Sequence, residues 1–175
     1  MAAAQGGEAD ARQIYLIPRE GAGFKVAVAR SAVLFSALIR DMLGDVEGDE
    51  TDDCDNEIPL PNVGKDALVK VLEWCMQQTS QPMPVIERPI RSKNMVENVG
   101  EWHAKFIDME QEMLVQVILA ANYLEISELL QLGCAQIASM IKYETPEDIR
   151  RKFNIATPTP EEEEEIRKQH PWIDE

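Results

Sequence analysis

The stretch FKVAVARSAVLFSALIRDML, Phe24 to Leu43, decides the fold class, because its hydrophobic period changes partway along. Phe24, Val26 and Val28 alternate with Lys25 and Ala27, the period-two pattern of a half-buried strand. From Ser31 the spacing turns helical, with Val33, Leu34, Ala37, Leu38 and Met42 on one face and Gly44 just past the end as a C-cap. Upstream, Gln13–Ile17 reads as a second strand, and the turn-rich PREGAG (Pro18–Gly23) joins the two into a hairpin.

Downstream, Asp45–Glu57 (DVEGDETDDCDNE) holds eight acids and no base and reads as a solvated loop. Ile58–Pro61 is extended, since proline pushes the residue before it to β or polyproline geometry. Gly64–Met76 is an amphipathic helix with Leu68, Val71, Leu72 and Cys75 on one face, and Pro82, Pro84 and Pro89 make 79–98 a mobile loop. Asp108 and Gln111 have the spacing of a capping box, opening a helix through Leu114, Val117, Ile118, Ala121 and Leu124. A second helix, from about Ser127, stacks Leu130, Cys134, Ile137 and Ile141 at spacings of four, three and four. Thr145-Pro-Glu-Asp148 and Thr159-Pro-Glu-Glu162 then begin two short helices, each with a Thr N-cap, proline at the first helical position and acids in the first turn. Strands with helices followed by helices alone read as α+β.

Composition narrows the function. The 175 residues carry 32 acids and 17 bases, a formal charge of −15, but the two acidic runs Asp45–Glu57 and Glu161–Glu165 hold 13 of the acids. The remainder is near neutral, and no clustered bases offer a footprint for nucleic acid or an anionic membrane. No apolar run approaches the roughly 20 residues of a membrane span, and MAAAQGGEADARQ is not a signal pattern. Cys54, Cys75 and Cys134 are odd in number and widely spaced, which fits free thiols in a reducing compartment, cytoplasmic or nuclear. With His103 and His170 far apart, neither a metal nor a cofactor is expected. The glutamate run complements a helix dipole better than it serves acid–base catalysis, and no GxSxG or phosphate-binding glycine loop accompanies it.

Ile149, Phe153, Ile155, Ile166 and Trp172 lie among many charges in helices of roughly ten residues, which are marginal alone in water. Two readings of this apolar set stay open: it closes the edge of the chain's own core, or it stays exposed until a partner's helices cover it.

LAANYLEISELL (Leu119–Leu130), TPEDIRRKFNI (Thr145–Ile155) and PEEEEEIRKQHPW (Pro160–Trp172) resemble the S-phase kinase-associated protein 1 family, adaptors of cullin-based SCF ubiquitin ligases. IPLPNVGKDALVKVLEWC (Ile58–Cys75) and the acidic segment before it are similar too, so the resemblance runs from about Ile14 to Trp172. It implies a non-catalytic bridge between a cullin scaffold and interchangeable F-box substrate receptors. The implied architecture is a disordered extension over 1–11, a BTB/POZ fold over 12–143 with mobile loops near 45–57 and 79–98, and two F-box-binding helices over 144–175. An elongin-C-like adaptor would end before those helices. By the resemblance, Asn122 and Tyr123 face the cullin, while Leu130, Ile137, Ile141, Phe153, Ile155 and Trp172 face the F-box. For Leu130, Ile137 and Ile141 a core stripe is the competing reading. Pro160 stands where some unicellular members hydroxylate and then glycosylate a proline, although helix initiation alone accounts for a proline there. The family can self-associate through its BTB part when unpartnered, so a homodimer is a further expectation. The hairpin turn Gly21-Ala22-Gly23, the apolar character of Ser31–Leu43 and the linker ATPTP (156–160) depart from the family pattern.

Overall fold

A computed structural model describes residues 13–21, 23–44, 57–170 and 172. The expected disordered extension over 1–11 lies outside the described residues, as does the acidic loop apart from Glu57.

Among the described residues the sheet has three strands, in the order β2-β1-β3. β1 (Gln13–Pro18) alternates strictly, burying Ile14, Leu16 and Pro18, and β2 (Val26–Ala29) pairs antiparallel to it with Gln13 opposite Ala29 and Leu16 opposite Val26. The expected hairpin is present. Its turn is closed by Gly21 N–H to the Pro18 carbonyl (2.9 Å) and Phe24 N–H to the Gly21 carbonyl (3.1 Å), with Gly21 at φ +87°, a conformation open to glycine. The extended Ile58–Pro61 segment proves to be a strand partner. β3 (Glu57–Leu60) runs parallel to β1, with Leu16 opposite Ile58, and buries Ile58 and Leu60. Pro59 is accommodated because β3 lies at the sheet edge, where a missing N–H is tolerated.

The single helix expected over Ser31–Leu43 is two: α1 (Arg30–Val33) and α2 (Ala37–Gly44), with Gly44 as the last helical residue. The break lies at Ser36, which is buried. Its Oγ accepts a hydrogen bond from Ile39 N–H (3.1 Å) and donates to the Leu124 carbonyl (2.5 Å). Breaking the helix rotates the apolar face: Val33 and Ile39 are buried, whereas Leu34, Phe35 and Met42 are exposed.

α3 (Lys65–Ser80) continues a turn beyond the expected end and buries Leu68, Val71, Leu72, Trp74, Cys75 and Gln78. Its first N–H is received by a residue of the hairpin turn, Lys65 N–H to Glu20 Oε2 (2.9 Å), which fixes the helix entrance to the sheet. Trp74 is wholly buried and meets Phe35 edge-on at 6.0 Å between ring centroids. Residues 81–94 carry neither helix nor strand, and the Arg88–Pro89 peptide is cis. The proline argument against helix across 79–98 holds over the prolines and fails at the ends. α3 reaches Ser80, and α4 (Met95–Val99) starts on Asn94, whose side chain accepts from Val96 N–H (3.1 Å).

α5 (Glu101–Ile107) follows across Gly100 at φ +80° and buries His103, Ala104, Phe106 and Ile107. The Asp108–Gln111 capping box does not form. Asp108 is the C-cap of α5, and α6 (Gln111–Tyr123) opens on Glu110 with no side-chain cap. α6 packs on α3, and α7 (Ser127–Ile141) comes close enough to α6 that a methyl at Gly133 would run into the Ile118 side chain.

The chain divides into two compact units between Ser139 and Met140. The second contains α8 (Pro146–Lys152) and α9 (Pro160–Gln169), begun as their caps predict. Thr145 Oγ1 accepts from Asp148 N–H (3.2 Å), and Thr159 and Glu162 form a reciprocal capping box: Glu162 N–H to Thr159 Oγ1 at 3.3 Å, Thr159 N–H to Glu162 Oε2 at 2.8 Å. Neither helix contains a fully buried residue.

Candidate partner-binding faces

Asn122 and Tyr123 stand at the end of α6, where the chain reverses into α7. The reversal is held by Leu124 N–H to the Ala120 carbonyl and Ile126 N–H to the Ala121 carbonyl, both 2.9 Å, with Glu125 between them at φ +55°. Leu124 and Ile126 are buried on either side, which leaves Asn122 exposed and Tyr123 half-buried. The bond from Ser36 to the Leu124 carbonyl ties this corner to the α1–α2 corner, which carries exposed Leu34 and Phe35. Sequence reasoning brought out neither Ser36 nor that junction. The available signal was a hydroxyl interrupting an otherwise apolar run.

Along α7 the sequence stripe and the core stripe are different faces. The core takes Leu129, Leu132, Gly133, Ala135 and Ser139. Leu130, Cys134, Ile137 and Ile141 repeat with the same helical period but are rotated away from that face: Leu130 and Ile137 are half-buried, Cys134 and Ile141 exposed. The core-stripe reading thus holds in part for Leu130 and Ile137, which are half-buried, and not for Ile141. α7 carries two apolar faces, and only one of them is fully buried.

In the second unit, α8 ends at Phe153, half-buried, and Asn154 at φ +50° turns the chain so that Ile155 N–H reaches the Arg150 carbonyl (2.8 Å). Ile155 is left 53% exposed beyond this C-cap. Lys152 secures the start of the unit, its Nζ donating to the Met140 carbonyl (2.9 Å) and to Glu144 Oε1 (3.3 Å). Ile166 and Trp172 are also exposed, Trp172 at 70%, with His170 edge-on to it at 6.0 Å. Tyr143, 84% exposed, was passed over in the sequence; an aromatic two residues past the last apolar position of α7 was the signal. Pro160 is exposed at the first position of α9.

Two titratable groups, both buried, are moved from their ordinary range. Burial pushes the Cys75 thiol up to about 12, and a hydrogen bond from its own backbone opposes this only in part, so it stays a protonated core residue. Burial holds His103 below the ordinary imidazole range, opposed by a hydrogen bond with the Val99 backbone. Among the described residues there is no group of three or more His, Cys, Asp or Glu able to hold a metal ion, and no helix is long and apolar enough to cross a membrane.

Comparison with known proteins gives this arrangement a family. Residues 19–80 match the family model described as "Skp1 family, tetramerisation domain", and residues 127–173 match "Skp1 family, dimerisation domain". The S-phase kinase-associated protein 1 homolog of Tetrahymena thermophila is 46% identical over 142 residues, 80% of this chain and 82% of the relative. The E3 ubiquitin ligase complex SCF subunit sconC of Arthroderma benhamiae is 41% identical over 154 residues (87% and 91%), and that of Emericella nidulans 42% over 161 residues (91% and 96%). A POZ-type segment from the hairpin turn through β2, β3 and α3, a matched C-terminal segment over α7 to Trp172, and this level of identity along nearly the whole length establish that the chain belongs to the Skp1 family.

Proposed function

We propose that this protein is a non-catalytic adaptor subunit of an SCF-type E3 ubiquitin ligase, joining a cullin scaffold to interchangeable F-box substrate receptors. The observation that carries the reading is the second apolar face of α7, Leu130 to Ile141. It stands apart from the fully buried stripe of the helix, and its positions fall in the segment matched to the Skp1-family dimerisation domain. Amphipathic partner helices laid on such a face use apolar anchors for affinity and a charged rim for selectivity. Phe153, Ile155 and Trp172 in the second unit supply further anchors, since exposed aromatic and branched residues of this kind dominate interface energetics. Asn122 and Tyr123, at a rigid corner away from the α7 stripe in sequence, are the cullin-facing residues of the proposal. Without a partner the chain self-associates through its POZ part, where Leu34, Phe35 and Met42 are exposed. Free thiols, one of them an inert core residue, suit a cytoplasmic and nuclear setting.

Co-purification with an F-box protein tests the central claim. Deleting Lys142–Glu175 should abolish the association, and undiminished binding after that deletion would refute the role of the C-terminal residues. Tyr123→Ala should weaken cullin binding about tenfold or more, as loss of an interface anchor does, while leaving F-box binding intact. Equal loss of both would mean that the corner is structural instead.

A further inference from the structure

Between residues 86–90 and α7 lies an apolar groove of about 470 Å³. Its floor is a row of α7 residues one turn apart, Leu130, Cys134 and Ala138, and its wall is Ile86, Pro89 and Ile90. Small side chains at 134 and 138 lower the floor where a second helix would cross, and Leu130 makes the groove continuous with the exposed face of α7. Ile86 is buried at the wall, and hydrogen bonds tie the chain on either side of it. Ile86 is 7% exposed, Met83 N–H donates to Gln78 Oε1 at one end of the segment (2.6 Å), and Asn98 Nδ2 donates to the Ser92 carbonyl at the other (2.8 Å). Gln78 is itself buried and held by Glu128 Oε2 at the start of α7 (2.9 Å), so wall and floor share one anchor. A groove that is formed before binding costs little ordering when it is filled.

We propose that residues 86–90 are a second wall of the F-box site, and that apolar side chains of an amphipathic F-box helix running along α7 enter this groove. The proposal rests on the adaptor reading above and adds to it an element upstream of α4, outside both family-matched segments. Its floor lies inside the segment 127–173 matched to the dimerisation domain, which is why an F-box helix is chosen as the occupant.

The test uses the full chain and a recombinant F-box fragment. Ile90→Asp places a charge in the wall and should weaken binding by about tenfold or more, the scale of a lost interface anchor. In the wild-type chain, iodoacetamide should alkylate Cys134 at least about tenfold more slowly once the fragment is bound, followed by peptide mass spectrometry, because the thiol then sits under the partner helix. If Ile90→Asp is poorly folded, the wild-type alkylation rate decides alone. Binding of Ile90→Asp within about twofold of wild type, or an unchanged Cys134 rate in the complex, overturns the groove while leaving the adaptor reading intact. Failure of the wild-type chain to bind the fragment defeats the adaptor reading and the groove with it. Slowing of Cys134 alkylation as the chain's own concentration rises, without the fragment, would make a second copy the occupant and overturn the proposal.

Discussion

His103 and Gly133 are the residues at which single atoms set stability. His103 is 1% exposed, with its ring edge-on to Trp102 at 5.1 Å, and its imidazole Nε2 is buried with no hydrogen-bond partner among the described residues. Burial lowers its pKa, so as pH falls below about 6.5, the free-imidazole value, the unfolded chain takes up a proton that the fold resists. Stability is therefore fully present above that pH and is lost as pH drops toward the folded-state pKa. Urea midpoints at about pH 7.5 and 5.5 should show this loss, and it should shrink in His103→Gln; an identical loss in the variant would assign the pH dependence elsewhere. Gly133 acts through volume. A methyl there meets Ile118 on α6, so Gly133→Ala should cost about 1–3 kcal/mol by overpacking, although alanine is the better helix former, and the cost would be read as a lower urea midpoint at unchanged slope.

Among the elements, α9 depends on its cap. It buries no residue, so its helicity rests on the Thr159–Glu162 box, three glutamates in the first turn, and Arg167 and Lys168 in the last. Its Glu164–Lys168 ion pair (2.9 Å) is exposed and adds only a few tenths of a kcal/mol. Thr159→Ala should remove about 1 kcal/mol of local helix stability, seen as faster amide exchange over 160–169 with little change in the first unit. Elements of this kind were legible in the sequence, because cap chemistry is local: Thr145, Pro146, Thr159 and Pro160 mark their helix starts unaided. The break at Ser36 was not legible, since the carbonyl that receives its hydroxyl is 88 residues away. Nor was the division of α7 into two faces. Leu129, Leu132 and Leu130, Ile137 obey the same period, and which set meets the core depends on α3 and α6. The proposed partner-facing positions could thus be named from resemblance, whereas their separation from the fully buried stripe could be seen only in the fold.

At the scale of the whole molecule, a charge of −15 works against compactness. Added salt screens that repulsion, and the pairs Lys70–Glu73, Arg151–Asp148 and Lys168–Glu164 that it also weakens are exposed ones of little worth. The thermal midpoint should therefore rise between low ionic strength and about 0.5 M NaCl; a fall would show that the exposed pairs matter more than net repulsion.

The reach of the bond from Ser36 to Leu124 also bears on where this fold can be cut. The matched POZ segment stops at residue 80, yet the hydroxyl at its α1–α2 corner is satisfied by a carbonyl beyond α6, and Gln78 at its end is held by Glu128. α3 also packs on α6. A fragment ending at residue 80 would thus lose the packing of α6 on α3 and leave the Ser36 hydroxyl without the carbonyl it donates to. The chain emerging from a ribosome faces the same condition: its sheet can close once Leu60 is made, but its core is finished only after the α6–α7 corner follows.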